Sequence, residues 1–194
     1  NVLLVRLGGE NAVSIYGVLM YADGFIQPLL YGMCDSLQPA VGYNWGAGRY
    51  SRVRAIEKCC RTAAAAVGLL SAEVLFAFPG QIAGLFMADG GADALAMAAF
   101  AVRLFSLTYL TRWFSFWVQS YLLAVEKAVP ATIISVSTAL VFPVALILVL
   151  WPLGLTGIWL NFAGTAVLAA VLGGILLRRE HADLARPDAP VAAE

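Results

Sequence analysis

Residues 37–58 read LQPAVGYNWGAGRYSRVRAIEK. An apolar run carrying Gln38 and Pro39 dissolves into Gly, Asn and Trp, then places five charges within ten residues: Arg49, Arg52, Arg54, Glu57 and Lys58. The rest of the chain makes this change decisive. Of its 194 residues, 61% are hydrophobic and only 12% charged. Soluble domains carry about 25% charged residues. Too few charges remain to clothe a water-facing surface, so lipid must cover much of it. A basic cluster directly after a proline-broken apolar segment then reads as a topological anchor at the membrane edge.

Working outward from it, apolar segments cover about Ala12–Asn44, Ala55–Phe78, Ala92–Ala124, Val129–Leu150 and Leu153–Leu177. Each is long enough to cross a bilayer, which takes about 20 apolar residues. The separators are the basic run Arg49–Arg61, the Pro/Gly/Asp stretch Pro79–Asp93, VEKAVP and WPLG. Residues 1–7 (NVLLVRL) are too few to span and predict the end of a helix that begins earlier, so the chain reads as a fragment. The segments do not alternate with period two, which excludes a transmembrane β-barrel. The expectation is an all-α, polytopic membrane protein with five full transmembrane helices plus the end of a sixth. Residues 1–179 form that bundle, and 180–194 form a flexible cytoplasmic tail that includes His181.

Charge placement predicts the orientation. The first loop carries Arg49, Arg52, Arg54, Lys58 and Arg61, the third Lys127, and the tail Arg178, Arg179 and Arg186. The second loop has Asp89 and Asp93 without a Lys or Arg, and the fourth has no charge. Basic residues in every second connection put those connections and the C-terminus in the cytoplasm. Trp151 and Trp159 flank the fourth, outer turn as expected interfacial aromatics. A cytoplasmic loop of this charge is ordinary, so nucleic acid is not an expected partner.

Asp23, Asp35, Glu73, Arg103 and Arg112 lie inside the predicted spans. Charge at a helix centre costs at least about 2.5–3.5 kcal/mol on insertion scales, so such groups face a cavity or a partner. Counting about 1.5 Å per residue from the cytoplasmic ends puts Asp35 and Arg112 at similar depth, with Asp23, Glu73 and Arg103 nearer the outer face. Asp35 is read as a structural partner of Arg112, as a proton or ion site, or as an exposed or loop position beyond the true helix boundary. Asp23 and Glu73 are further coupling candidates, and Arg103 snorkels outward. In the first full span Asp23, Gln27, Tyr31, Cys34 and Gln38 share one stripe at 100° per residue. Pro28 and Pro39 free the carbonyls of Gly24 and Asp35 beside it. Broken helices with freed carbonyls are what transporters use to hold ions, so Gln27, Tyr31, Gln38 and Arg112 are cavity-lining candidates.

Gly42/Gly46 and Ala64/Gly68 have close-packing spacing, and WFSFW at 113–117 suits packing or stacking on an aromatic ligand. Cys34, Cys59 and Cys60 lack metal or redox spacing and read as small apolar residues. There is no nucleophile–base pair, HExxH or phosphate loop. No enzyme activity, cofactor or metal is expected.

QPAVGYNWGAGRYSRVR resembles the helix end and loop of bacterial multidrug and toxic compound extrusion (MATE) transporters. VRLFSLTYL, YLLAVEKAVPATIIS and PLGLTGIWL follow in the family's order. The resemblance implies two related six-helix bundles around an alternately opened cavity, in a multi-pass protein of the bacterial inner membrane. It implies export of cationic, amphipathic drugs or metabolites in exchange for H⁺ or Na⁺. This chain would be the C-terminal half, holding the end of helix seven and helices eight to twelve. Its partners would be membrane lipids, a small-molecule substrate and the missing N-terminal six-helix half. Two departures stand out. The family often carries Pro and then Glu after GIWL, where this chain has Ala163 and Ala166, so coupling would rest on Asp35 or on an acid of the other half. Arg112 stands where the family is usually uncharged, which suits an anionic or zwitterionic substrate. The rival readings are a lipid-linked precursor flippase of the same superfamily and a non-transporting scaffold or decayed fragment.

Overall fold

The computed structural model describes residues 2–87 and 91–184; Asp89, Arg186 and the tail beyond Leu184 lie outside the described residues, as does the side chain of His181. The described residues form helices and turns and contain no strand. In chain order the helices are α1 (Val2–Asp35), α2 (Leu37–Gly46), α3 (Tyr50–Ala77), α4 (Pro79–Phe86), α5 (Ala92–Ser106), α6 (Tyr109–Ala124), α7 (Ala128–Val136), α8 (Phe142–Leu150) and α9 (Gly154–Leu184). A π-helical turn, Ser137–Val141, joins α7 to α8, and a 3₁₀ turn, Trp151–Leu153, joins α8 to α9.

Three helical stretches are long and apolar enough to cross a membrane: Leu3–Gly46, Tyr50–Ala77 and Ala128–Glu180. The pair α5–α6, bent by 43° at its junction, makes a fourth if counted as one span. The chain is therefore a multi-pass helical membrane protein.

Each interruption has a local cause. Gly9, at φ 63°, kinks α1 where the short leading helix meets the first long one; a residue without Cβ enters this region without strain. Pro39 lacks the N–H that would bond the Asp35 carbonyl, and the helix breaks there, with the Ser36 hydroxyl donating to the Met33 carbonyl at 2.7 Å. Pro28 causes no such break, since α1 runs through it. Pro143 likewise withdraws a donor from the turn before it. The ladder there widens, Phe142 N–H reaching five residues back to the Ser137 carbonyl. π-helical turns of this kind are frequent at functional sites. At Gly154, φ 58°, the chain reverses and α9 packs back along α8.

Two connections share one geometry. Gly48 N–H bonds the Trp45 carbonyl and Arg49 N–H the Asn44 carbonyl; Glu126 and Lys127 repeat this with Leu123 and Leu122. Both are Schellman ends with a left-handed residue after the helix, Gly48 at φ 67° and Glu126 at φ 64°. They lie at the same end of the bundle, because a Cβ on Gly42 would stand 3.5 Å from the Ala124 carbonyl oxygen. The far part of α9 returns to that end, where Glu180 pairs with Lys127 at 2.8 Å. Basic residues thus gather at one pole.

α6 is the centre of the core, packed by α1, α2, α3, α7 and α9. Tyr109, Trp117 and Leu122 are fully enclosed there. Of the small-residue pairs, Ala64/Gly68 makes a close approach: Trp113 sits so near Gly68 that a Cβ would come within 2.7 Å of its ring. Gly46 has no neighbour that a Cβ would meet. The expectation of two interfacial tryptophans is corrected. Trp151 is exposed but Trp159 is 1% exposed, because it lies beyond the first turn of α9 on the face turned into the core.

Candidate functional site

α1 and α6 run side by side in the same direction, with partners about 85 positions apart along their contact. The polar stripe of α1 therefore meets a stripe of α6 spaced by three or four residues. Arg112 Nη1 donates to Asp23 Oδ1 at 2.8 Å, and the Tyr109 hydroxyl donates to the same oxygen at 2.5 Å. Arg112 Nη2 donates to Gln27 Oε1 at 2.7 Å. The guanidinium also lies over the rings of Phe116 and Tyr109, 5.5 and 5.9 Å from their centroids. Phe116 in turn stacks on Tyr31 at 4.0 Å. Both charged side chains are mostly withdrawn from solvent, at 19% exposure for Arg112 and 16% for Asp23.

The expected pairing of Asp35 with Arg112 is corrected. Asp35 Oδ1 instead accepts from Ser120 at 2.6 Å and from Gln38 at 2.9 Å, and no cation pairs with it among the described residues. The error in depth has a simple origin. α2 continues past the end of α6, so Gly42 rather than Gly46 lies beside Ala124. Depths counted from the two helix ends are thereby offset by about one turn.

Cys34 also leaves the stripe: it is completely buried in the core, and Cys60 of α3 reaches the carbonyl of neighbouring Met33 at 3.8 Å. Glu73 stands exposed on α3, beside an apolar groove formed with Phe76 and Leu107, and makes no hydrogen bond or ion pair among the described residues. Arg103 is exposed in the last turn of α5. Thus Asp23, Gln27, Tyr31 and Arg112 come together, Asp35 and Gln38 form a second group two turns further along, and Glu73 joins neither.

Two cavities adjoin at Arg112. One, of about 320 Å³, lies between α6, the Ser137–Leu150 region and α9, with Tyr16, Asn161, Phe162 and Thr165 on its wall. The other, of about 180 Å³, is lined by Gln27, Tyr31, Phe116 and Gln119. Arg112, Ser115 and Thr138 line both. Asn161 Nδ2 donates to the Pro143 carbonyl at 3.0 Å, and Thr165 donates to Asn161 Oδ1 at 3.0 Å, which ties α9 to the helix after the π turn.

Sequence reasoning missed Tyr109, Ser115, Thr138, Asn161 and Thr165. Signals existed for some of them. Tyr109, Arg112, Phe116 and Ser120 recur at helical spacing, and Asn161/Thr165 is an isolated i, i+4 polar pair in an apolar helix. Thr138 had none, since only the widened turn before Pro143 and the packing of α9 put it on the wall.

The family profile described as MatE matches residues 1–149. The multidrug export protein MepA of Staphylococcus aureus (strain MSSA476) is 27% identical over 174 residues, 88% of this chain. MepA of Staphylococcus saprophyticus is also 27% identical, over 173 residues and 88% of this chain. The chain spans 38% of the length of each of these curated relatives. Among solved structures, an outward-facing multidrug resistance MATE family transporter of the MOP superfamily superposes with a TM-score of 0.84 at 18% identity, covering 94% of this chain and 41% of that one. At this identity the likeness is one of fold.

Proposed function

We propose, from the premise that this chain belongs to the MatE family, that it supplies one helical bundle of a secondary active exporter. Members of this family are transporters rather than enzymes. The match over residues 1–149 is the observation that carries the reading, and the cavities beside Arg112 support it by offering room for a small molecule among broken helices. The bundle is the C-terminal half of the transporter, with α1–α2, α3, α5–α6, α7–α8 and α9 as its five spans. It sits in the bacterial inner membrane with the basic pole and the C-terminus in the cytoplasm. Membrane lipids cover its outer faces, and the N-terminal six-helix half closes the central cavity.

The cargo is an amphipathic drug or metabolite, exchanged for H⁺ or Na⁺. Asp35 is the coupling acid: it stands at the helix break caused by Pro39, accepts from Ser120 and Gln38, and has no cation partner among the described residues. Protonation or Na⁺ binding at such a carboxylate biases one opening of the cavity, and cargo binding biases the other. The test is dye transport by the full-length transporter in lipid vesicles under an imposed H⁺ or Na⁺ gradient. One of the two ions drives the dye, and Asp35→Asn abolishes that movement while dye binding persists. Unaltered transport in D35N would remove Asp35 from coupling; wild-type protein that moves dye under neither gradient would remove the antiport reading.

A further inference from the structure

We infer that the cavity beside Arg112 receives the anionic group of an amphipathic aromatic ligand, with Arg112 and Thr108 as the donors that select it. This rests on the transport reading above and names the class of its cargo. Three observations carry it. Among the described residues, Arg112 is the only charged side chain lining either cavity, and it lines both. Asp23, which neutralises it, is not part of either lining, so the walls carry the cationic residue without its carboxylate partner. A cationic ligand would meet no carboxylate on these walls. Guanidinium has five N–H donors, and the bonds to Asp23 and Gln27 use two.

The second donor is an orphan. Thr108, 1% exposed and on the wall of the larger cavity, has a buried hydroxyl without a hydrogen-bond partner among the described residues. Buried polar groups are ordinarily paired, so an unpaired hydroxyl on a residue of the same wall as Arg112 suits an incoming acceptor. Tyr16 and Phe162, 6.2 Å apart between ring centroids, supply the surface for an aromatic body. A carboxylate at Arg112 and Thr108 with its ring toward Phe162 satisfies all of these groups together.

Three probes of one shape test this on the detergent-solubilised full-length transporter: 2-naphthoate, 2-naphthalenemethanol and 2-naphthylmethylamine. The expected result is that naphthoate binds at least about tenfold tighter than the amine, as a charge-assisted pair requires, with the alcohol between them. Arg112→Gln leaves Asp23 as an uncompensated carboxylate that would itself repel an anion, so the deciding variant is the double substitution D23N/R112Q, which removes both charges. It is expected to bind all three probes within about threefold of one another. Thr108→Val weakens naphthoate by about fivefold and spares the amine. Equal or tighter binding of the amine by the wild type overturns the proposal, as does a naphthoate preference that survives in D23N/R112Q. If the alcohol binds and naphthoate binds no better, the cavity and the transport reading stand and only the polarity fails. If none of the probes binds while dye transport persists, this cavity is not the ligand site.

Discussion

The Asp23–Arg112 pair yields a prediction whose size can be worked out. Removing one partner of a fully buried ion pair costs about 3–5 kcal/mol, because the other charge is left uncompensated. Here the side chains retain 16% and 19% exposure, and Asp23 also accepts from Tyr109, so each survivor keeps some solvation. Asp23→Asn and Arg112→Gln are therefore each expected to destabilise by about 2–3 kcal/mol. The double substitution leaves no unpaired charge, and the side-chain amide it places at position 23 can still accept from Tyr109. Its cost is expected to stay at about 2–3 kcal/mol instead of reaching the sum of the singles, a coupling of about 2–3 kcal/mol. In equilibrium terms each single variant shifts unfolding by roughly 30- to 150-fold at about 1.4 kcal/mol per factor of ten. The assay is reversible unfolding of purified protein in mixed micelles under increasing denaturing detergent, run on wild type, both singles and the double. Additive effects would refute the pairing, and so would singles that behave like wild type.

Other sites give further expectations. Gly68→Ala would bring a methyl within 2.7 Å of the Trp113 ring; overpacking of about 1–3 kcal/mol exceeds the helix-propensity gain of about 1 kcal/mol, so the melting temperature falls. Gly32→Ala, with nothing within 4 Å, serves as the control and melts no lower than wild type. Glu126→Gly relieves a non-glycine residue held at φ 64° and is expected to stabilise by about 0.5–1 kcal/mol, read as a higher melting temperature; a lower one would contradict the turn geometry. Lys127→Ala removes the 2.8 Å bond to Glu180, whose partners are 29% and 25% exposed. Its expected cost is at most about 1 kcal/mol and shrinks with added salt, and a loss undiminished in concentrated salt would argue against an ion pair there.

The polar stripe of α1 was legible in the sequence, and so was the need for Arg112 to find a partner. Which acid supplies that partner was not legible. Asp23 and Asp35 are equally acidic and lie three turns apart on one helix, so choosing between them requires the axial register of α1 on α6. That register is set by packing, through the stacking of Tyr31 on Phe116 and the overhang of α2 past Ala124. The same holds for Cys34 and Trp159, which share helical faces with polar or interfacial residues in sequence yet point into the core once neighbouring helices are placed.

The sequence by itself determined the helical, apolar character of the segments, the pole where basic residues gather, and the break at Pro39 and the reversal at WPLG. These follow from hydrophobic length, from a missing proline N–H and from glycine's tolerance of positive φ, all properties of a few consecutive residues. Only the tertiary structure decided that Arg112 pairs with Asp23, that Asp35 is left to Ser120 and Gln38, and that Thr138, Asn161 and Arg112 share one cavity. Those outcomes depend on how far one helix slides and turns against another. Interdigitating side chains from distant parts of the chain set that slide, and no local pattern encodes it.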